Sequence, residues 1–184
     1  MNEITNDAYN KYDQVPFIVD NIISYLINND DQIWKLLYYT DADAWKSTKA
    51  NLTKDQKGAL VYDGLKTETD CRVFSDLGQD QTWDIEASIL RIAIARIIPN
   101  NYVVGNISIV FQSYNHYKIS TLSNHTNRAI SIIQRLLYLL NGTEIEGGLG
   151  RLYFDRRANS TSDGTIIGAI PYKGFQVVMC NNIM

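Results

Sequence analysis

The sequence predicts an α+β fold. A four-stranded, mostly antiparallel sheet in the order β-β-α-β-β carries one long helix across a face, with additional N-terminal helices. Three observations lead there. The hydrophobic period changes from helical to alternating after Thr67. Two alternating runs, ASILRIAIARIIPNN and YVVGNISIVFQSY, meet at the turn Pro99-Asn100-Asn101, the pattern of a β-hairpin with one buried face. An amphipathic stretch, HTNRAISIIQRLLYLLNG, separates that pair from two short extended runs, GLGRLYFD and GFQVVMCN. A helix placed between two strand pairs lies across the sheet, and the N-terminal helices then cover the remaining edge or end.

Residues 1–14 read as a flexible polar arm, and 15–184 as a single domain. In VPFIVDNIISYLINND, Phe17, Ile18, Ile22, Tyr25 and Leu26 share a face at helical spacing, and Pro16 suits a first helical turn. Asn28-Asn29 ends that helix. Asp30 or Asp31 caps the next one, QIWKLLYY, its carboxylate taking free N–H groups. There Ile33, Leu36 and Leu37 form one stripe, and Trp34 and Tyr38 a neighbouring one. Thr53 followed by Gln56 is a capping-box pattern opening a third helix, with Gly64 placed to stop it. CRVFSDLGQDQTW reads as a short extended piece and a loop.

In the hairpin, Leu90, Ile92 and Ile94 face one way and Arg91, Ala93 and Ala95 the other. Ile107, Ile109 and Phe111 oppose Asn106, Ser108, Val110 and Gln112. In the long helix, Ile130, Ile133, Leu137 and Leu140 form the expected core stripe, and Arg128, Ser131, Arg135 and Tyr138 the opposite face. Asn124 or Thr126 caps its start and Asn141-Gly142 ends it. Leu152 and Phe154 share one side of the following strand. Residues 156–171 form a long polar loop or arm, a length usually tied to function.

A chain of 184 residues, 45% hydrophobic and 20% charged, is long enough for one sizeable core. Its net charge of −3 argues against nucleic-acid binding by bulk electrostatics, which needs a Lys/Arg excess. MNEITNDAYNKYDQ lacks the pattern of a signal peptide. No apolar run approaches the ~18 to 20 residues of a membrane span. Cys71 and Cys180 are far apart and read as reduced thiols.

Chemistry is sparse. There is no P-loop, and GGLG at 147–150 precedes no helix. His116 and His125 lack partners at metal-ligand spacing and read as surface or cap histidines. Asp84 and Glu86, two apart at a strand head, point to the same face and form the one carboxylate pair that would suit a metal or acid–base work. No catalytic residue, metal site or cofactor is expected from the remainder. Arg151, Arg156 and Arg157 cluster around the long loop; they suit contact with a neighbouring subunit's acidic groups or with passing DNA, or else form a solvated loop edge.

QIWKLLYYTDADAW, then LTKDQKGAL, then the hairpin, then NRAISIIQRLLYLLNG with EGGLGRLYFD and GFQVVMCN, is an order of elements that resembles tailed-bacteriophage neck proteins. These are head-to-tail connector, tail-completion or tail-terminator proteins, and the likeness runs over about residues 15 to 180. The long 156–171 loop departs from it. The resemblance implies a tail-terminator-like fold and a ring of identical subunits, a hexamer or dodecamer, with no enzymatic activity. It implies a portal or adaptor protein above, tail proteins below, and genomic DNA passing through the lumen without sequence-specific binding. It places the chain in the virion neck, after assembly in the host cytoplasm and without a membrane. A composition rich in Asn, Ile, Tyr and Lys would suit crAss-like phages as well as long-tailed ones. A ring subunit also gives the aromatics a use. Trp34, Tyr38, Tyr39 and Trp45 exceed what a short helix must bury, and aromatic side chains are enriched at interface centres. They are interface candidates, the alternative being that all four are core. The competing functions are a metal-dependent nuclease built on Asp84 and Glu86, and a small phage regulatory protein.

Overall fold

The computed structural model describes residues 12–76, 85–99, 105–145, 150–154 and 172–181. Of the expected arm, residues 1–11 lie outside this set, and Tyr12–Phe17 form a 3-10 turn leading into the first helix. The long loop at 156–171 also lies outside it.

The fold is α+β, and among the described residues there are four α-helices: α1 (Ile18–Asn29), α2 (Gln32–Tyr38), α3 (Lys54–Ala59) and α4 (Arg128–Leu140). Its strands are β1 (Val73–Phe74), β2 (Ser88–Pro99), β3 (Gly105–His116), β4 (Leu152–Phe154) and β5 (Tyr172–Asn181). The sheet has five strands, ordered β1-β2-β3-β5-β4, instead of the expected four. β2 to β5 are antiparallel throughout, and β1 adds a parallel pair at Val73–Leu90 that makes the sheet mixed. A two-residue strand has no alternation to read, so the extended piece in CRVF gave no sign of pairing.

The hairpin faces are as the alternation predicts. Leu90, Ile92, Ile107, Ile109 and Phe111 join one core with Met179 and Leu152 and with the apolar faces of α1, α2 and α4. Ile94 packs at its margin, and a bulge between Ile94 and Arg96 shifts the register beyond it. The N-terminal helices therefore share the sheet face that α4 covers, rather than an edge or end. The opposite face carries a polar rung, with Gln112 Nε2 donating to Gln176 Oε1 at 2.7 Å and Tyr114 Oη donating to Gln112 Oε1 at 3.1 Å.

Both helical stripes are rotated from the expected ones. On α1 the buried set is Ile18, Val19, Ile22, Ile23 and Leu26, while Phe17 is exposed. On α4 it is Arg128, Ala129, Ile132, Ile133, Leu136 and Leu140, with Ile130 and Leu137 only partly covered. The α4 cap is Asn127, whose side-chain oxygen accepts from the backbone N–H groups of Ala129 and Ile130, not Asn124 or Thr126. The Thr53–Gln56 capping box forms as expected. α3 stops at Ala59, and Gly64, at φ +84, instead shapes a bend in which Asp63 Oδ1 accepts from the Leu65 and Lys66 amides.

Both edge strands are sealed by their own chain. Along β1, the Tyr62 amide donates to the Val73 carbonyl and the Val73 amide to the Leu60 carbonyl. Along β4, the Leu152 amide donates to the Thr143 carbonyl at 3.1 Å and the Phe154 amide to Asn141 Oδ1 at 3.0 Å. Sealed edges disfavour strand addition by another chain.

Candidate functional site: an aromatic corner held by a buried arginine

α2 ends at Tyr38, and the chain then turns through Tyr39–Trp45. A helix C-terminus leaves carbonyls unpaired. Arg128 supplies the missing donors. Its side chain is 0% exposed, and its guanidinium donates to the carbonyls of Leu36 (3.0 Å), Tyr39, Thr40 (3.2 Å) and Asp41 (2.6 Å). Its Nε donates to the Ile119 carbonyl at 2.9 Å. One cation thus ties the last turn of α2, the corner and the segment after β3 to the first turn of α4. Burial pushes the guanidinium down to about 10, so it stays protonated at neutral pH. The expected solvent-facing role for Arg128 is overturned. One sequence signal was available: a cation in the first turn of a helix opposes the macrodipole and needs a compensating partner.

A second knot fastens the start of α2. Asp30, also buried, accepts the Ile33 amide at 2.6 Å through Oδ2 and pairs with Arg135 Nε at 2.6 Å through Oδ1. Buried Lys57 donates to the Ile27 and Asp30 carbonyls and pairs with Asp31 at 2.7 Å. Asp30 is therefore the capping carboxylate.

Between these knots the four aromatics separate. Trp34 lies in the chain's own core, with its indole N–H donating to the Leu26 carbonyl at 3.0 Å. The interface role expected for it gives way to packing, because the α2 face that carries it turns inward beside Ile33 and Leu37. Tyr38 is 47% exposed and Trp45 36%. Tyr39 is half-buried, edge-on to Tyr38 at 5.0 Å, under the Lys49 ammonium at 5.1 Å, with its hydroxyl donating to the Ala50 carbonyl. Trp45 is also held: its indole N–H donates to Ser123 Oγ at 2.9 Å, and its carbonyl accepts from Gln32 Nε2. Asp41 pairs with Lys49 at 2.7 Å and Asp43 with Lys46 at 2.9 Å. The Lys49 ammonium and the Asp43 amide hold the Asp41 carboxyl below its ordinary value. Hydrogen bonds from Ser123 and Lys46 do the same for Asp43. The corner presents aromatic surface on a backbone with little freedom left, an arrangement suited to docking.

The other candidates fall elsewhere. Arg151 is exposed just before β4, forming an isolated bridge with Glu144, and Arg156 and Arg157 lie outside the described residues. Asp84 lies outside them too, while Glu86 is exposed and pairs with Lys118 at 2.5 Å. Among the described residues no group of three His, Cys, Asp or Glu is placed to hold a metal, and no helix is long and apolar enough to cross a membrane. His116 is buried and acts as a cap, its Nδ1 accepting from the Lys118 amide; His125 is exposed, with φ +63, ahead of α4. Cys71 is a buried free thiol that burial pushes up, and the Cys180 sulfur lies 3.1 Å from the Ser108 hydroxyl.

No curated protein and no solved structure matches the chain significantly. Residues 30–178, which span α2 to β5 and the whole aromatic corner, match the profile of one family. The chain belongs to the YomW family, whose name derives from a Bacillus phage.

Proposed function

We propose that the protein is a structural subunit of a homo-oligomeric ring in a phage neck, joining the capsid portal to the tail and lining part of the DNA conduit. The observation that carries this is the aromatic corner. Tyr38 and Trp45 are exposed, while the backbone at the end of α2 and through the corner is fastened by four carbonyls that accept from the buried Arg128 guanidinium. Rigid exposed aromatics are the usual anchors of protein contacts, because little ordering entropy is lost on docking. The phage-derived family name supports the setting. A net charge of −3 suits a wall past which DNA moves without being held. In this role the corner meets a second copy or a neck neighbour, portal or adaptor on one side and tail protein on the other.

Light scattering after size exclusion, with negative-stain images across a concentration range, tests the reading together with mass spectrometry of purified virions. Rings of six or twelve subunits, and the chain present in particles at that copy number, are expected. A chain missing from particles that stays monomeric at every concentration would sink the proposal.

A further inference from the structure

Resting on the reading of the corner as a docking surface, we infer that its protein partner presents an Asp or Glu side chain, and that the Lys35 ammonium receives that carboxylate.

Lys35 is 4% exposed, and a lysine so covered ordinarily has a partner. Its Nζ makes no hydrogen bond, ion pair or ring contact among the described residues. Ser113 Oγ is the one side-chain atom among the described residues that lacks a partner and is also shut off from water, so the Lys35 ammonium still reaches solvent. The side chain is a covered stem that ends in a charge at an opening.

Three hydrogen bonds identify the cover. Gln32 Nε2 donates to the Trp45 carbonyl at 3.0 Å, Tyr39 Oη to the Ala50 carbonyl at 3.2 Å, and Asn51 Nδ2 to Asp31 Oδ2 at 2.7 Å. Asp31, Gln32 and Tyr39 stand four before, three before and four after Lys35, which puts them on its side of α2. The segment from Trp45 to Asn51 therefore runs along the side that carries Lys35. Tyr38, three residues after Lys35, borders the same strip, and Trp45 opens the covering segment, so both exposed aromatics neighbour the lysine.

The fold itself does not call for this charge. The carbonyls at the end of α2 already accept from Arg128. The nearby carboxylates are taken, Asp31 by Lys57 at 2.7 Å, Asp41 by Lys49 at 2.7 Å and Asp43 by Lys46 at 2.9 Å. A methionine would fill the same place without the cost of covering an ammonium. What remains at the corner is one unmatched positive charge, on a chain whose net charge is −3. One carboxylate matches it and gains a charge-assisted hydrogen bond where little water competes. A nucleic-acid strand does not match it, because its successive phosphates would also meet Asp41 and Asp43.

Lys35→Met on the full chain separates a receiving lysine from one that only packs. Methionine keeps most of the stem without the charge, so the melting temperature should hold or rise. Self-association and incorporation into particles should fall by roughly tenfold or more. A second measurement titrates the isotope-labelled wild type with N-acetylglutamate α-amide, N-acetylglutamine α-amide and dimethyl phosphate, and reads the lysine ammonium resonances by NMR. The glutamate probe should shift Lys35 more than Lys46 or Lys49, and the other two probes should not. A Lys35→Met protein that folds and assembles like wild type overturns the assignment and leaves the ring reading standing. If that variant fails to fold, the probes decide. No selective shift, or an equal response to dimethyl phosphate, overturns the assignment. A wild type that never associates overturns the ring reading, and the probes then decide Lys35 alone.

Discussion

The Arg128 guanidinium donates to the Leu36 carbonyl at 3.0 Å, across 92 residues of chain, and so locks the end of α2 to the start of α4. Together with its four other carbonyl acceptors it makes a structural centre out of a residue type that ordinarily faces water.

Arg128→Ala should therefore destabilise by about 3 kcal/mol or more, because several carbonyls lose their donor inside the protein at about 1 to 3 kcal/mol for each left fully unsatisfied. Arg128→Lys should recover less than half of the loss, since an ammonium has three donors on one atom and cannot span five acceptors. Urea denaturation of the three proteins measures both. A lysine variant as stable as wild type would show that the fork geometry is irrelevant.

Trp34 and Trp45 should separate by phenotype. Trp34→Ala removes a buried ring and its bond to Leu26, and should cost about 3 to 5 kcal/mol. Tyr38→Ser with Trp45→Ser should leave the melting temperature nearly unchanged and abolish binding to the neighbour or copy. Melting curves paired with light scattering and particle incorporation distinguish the two. A folded, assembling double variant would remove the corner from the interface.

Gly174 and Ser113 predict opposite outcomes on adjacent strands. A Cβ at Gly174 would stand 2.1 Å from the Ser113 carbonyl oxygen, a backbone atom with no room to yield, so Gly174→Ala should force β3 and β5 apart at a cost of about 3 kcal/mol. The Ser113 hydroxyl is buried with no hydrogen-bond partner among the described residues, so Ser113→Ala should be neutral or stabilising by up to about 1 kcal/mol. Thermal melts of the two variants, run side by side, check the pair.

Acid should loosen the corner before the core. The Asp41 carboxyl sits below its ordinary 3.8 because Lys49 and the Asp43 amide favour its charged form. A depressed folded pKa means that the stabilisation is full above the unfolded value and is lost as pH falls through the folded one. Trp45 fluorescence, read in a background with Trp34→Phe and Trp83→Phe, should change below about pH 4 while far-UV circular dichroism holds. Asp41→Asn should show the altered Trp45 signal already at pH 7. Identical titrations for both proteins would show that the pair does not order the corner.

Much of the architecture is legible locally. The strand faces of the hairpin follow from alternation, since successive side chains must point to opposite sides of a sheet. The Thr53–Gln56 box follows from two side chains meeting backbone amides within one turn. The approximate helix positions, the terminal strand and the choice of aromatics worth testing are likewise properties of short stretches. What tertiary packing decided is which part of each helix turns inward and which polar groups follow it. A stripe of apolar residues fits two adjacent rotations almost equally well until a second surface is present, so α1 and α4 settle with Val19 and Ile132 inside and Phe17 outside. The two-residue β1 exists only because β2 stands beside it. Arg128 is buried for the same kind of reason. The carbonyls at the end of α2 become inaccessible to water only once α4 has docked against them, and a donor must then be brought from a distant part of the chain.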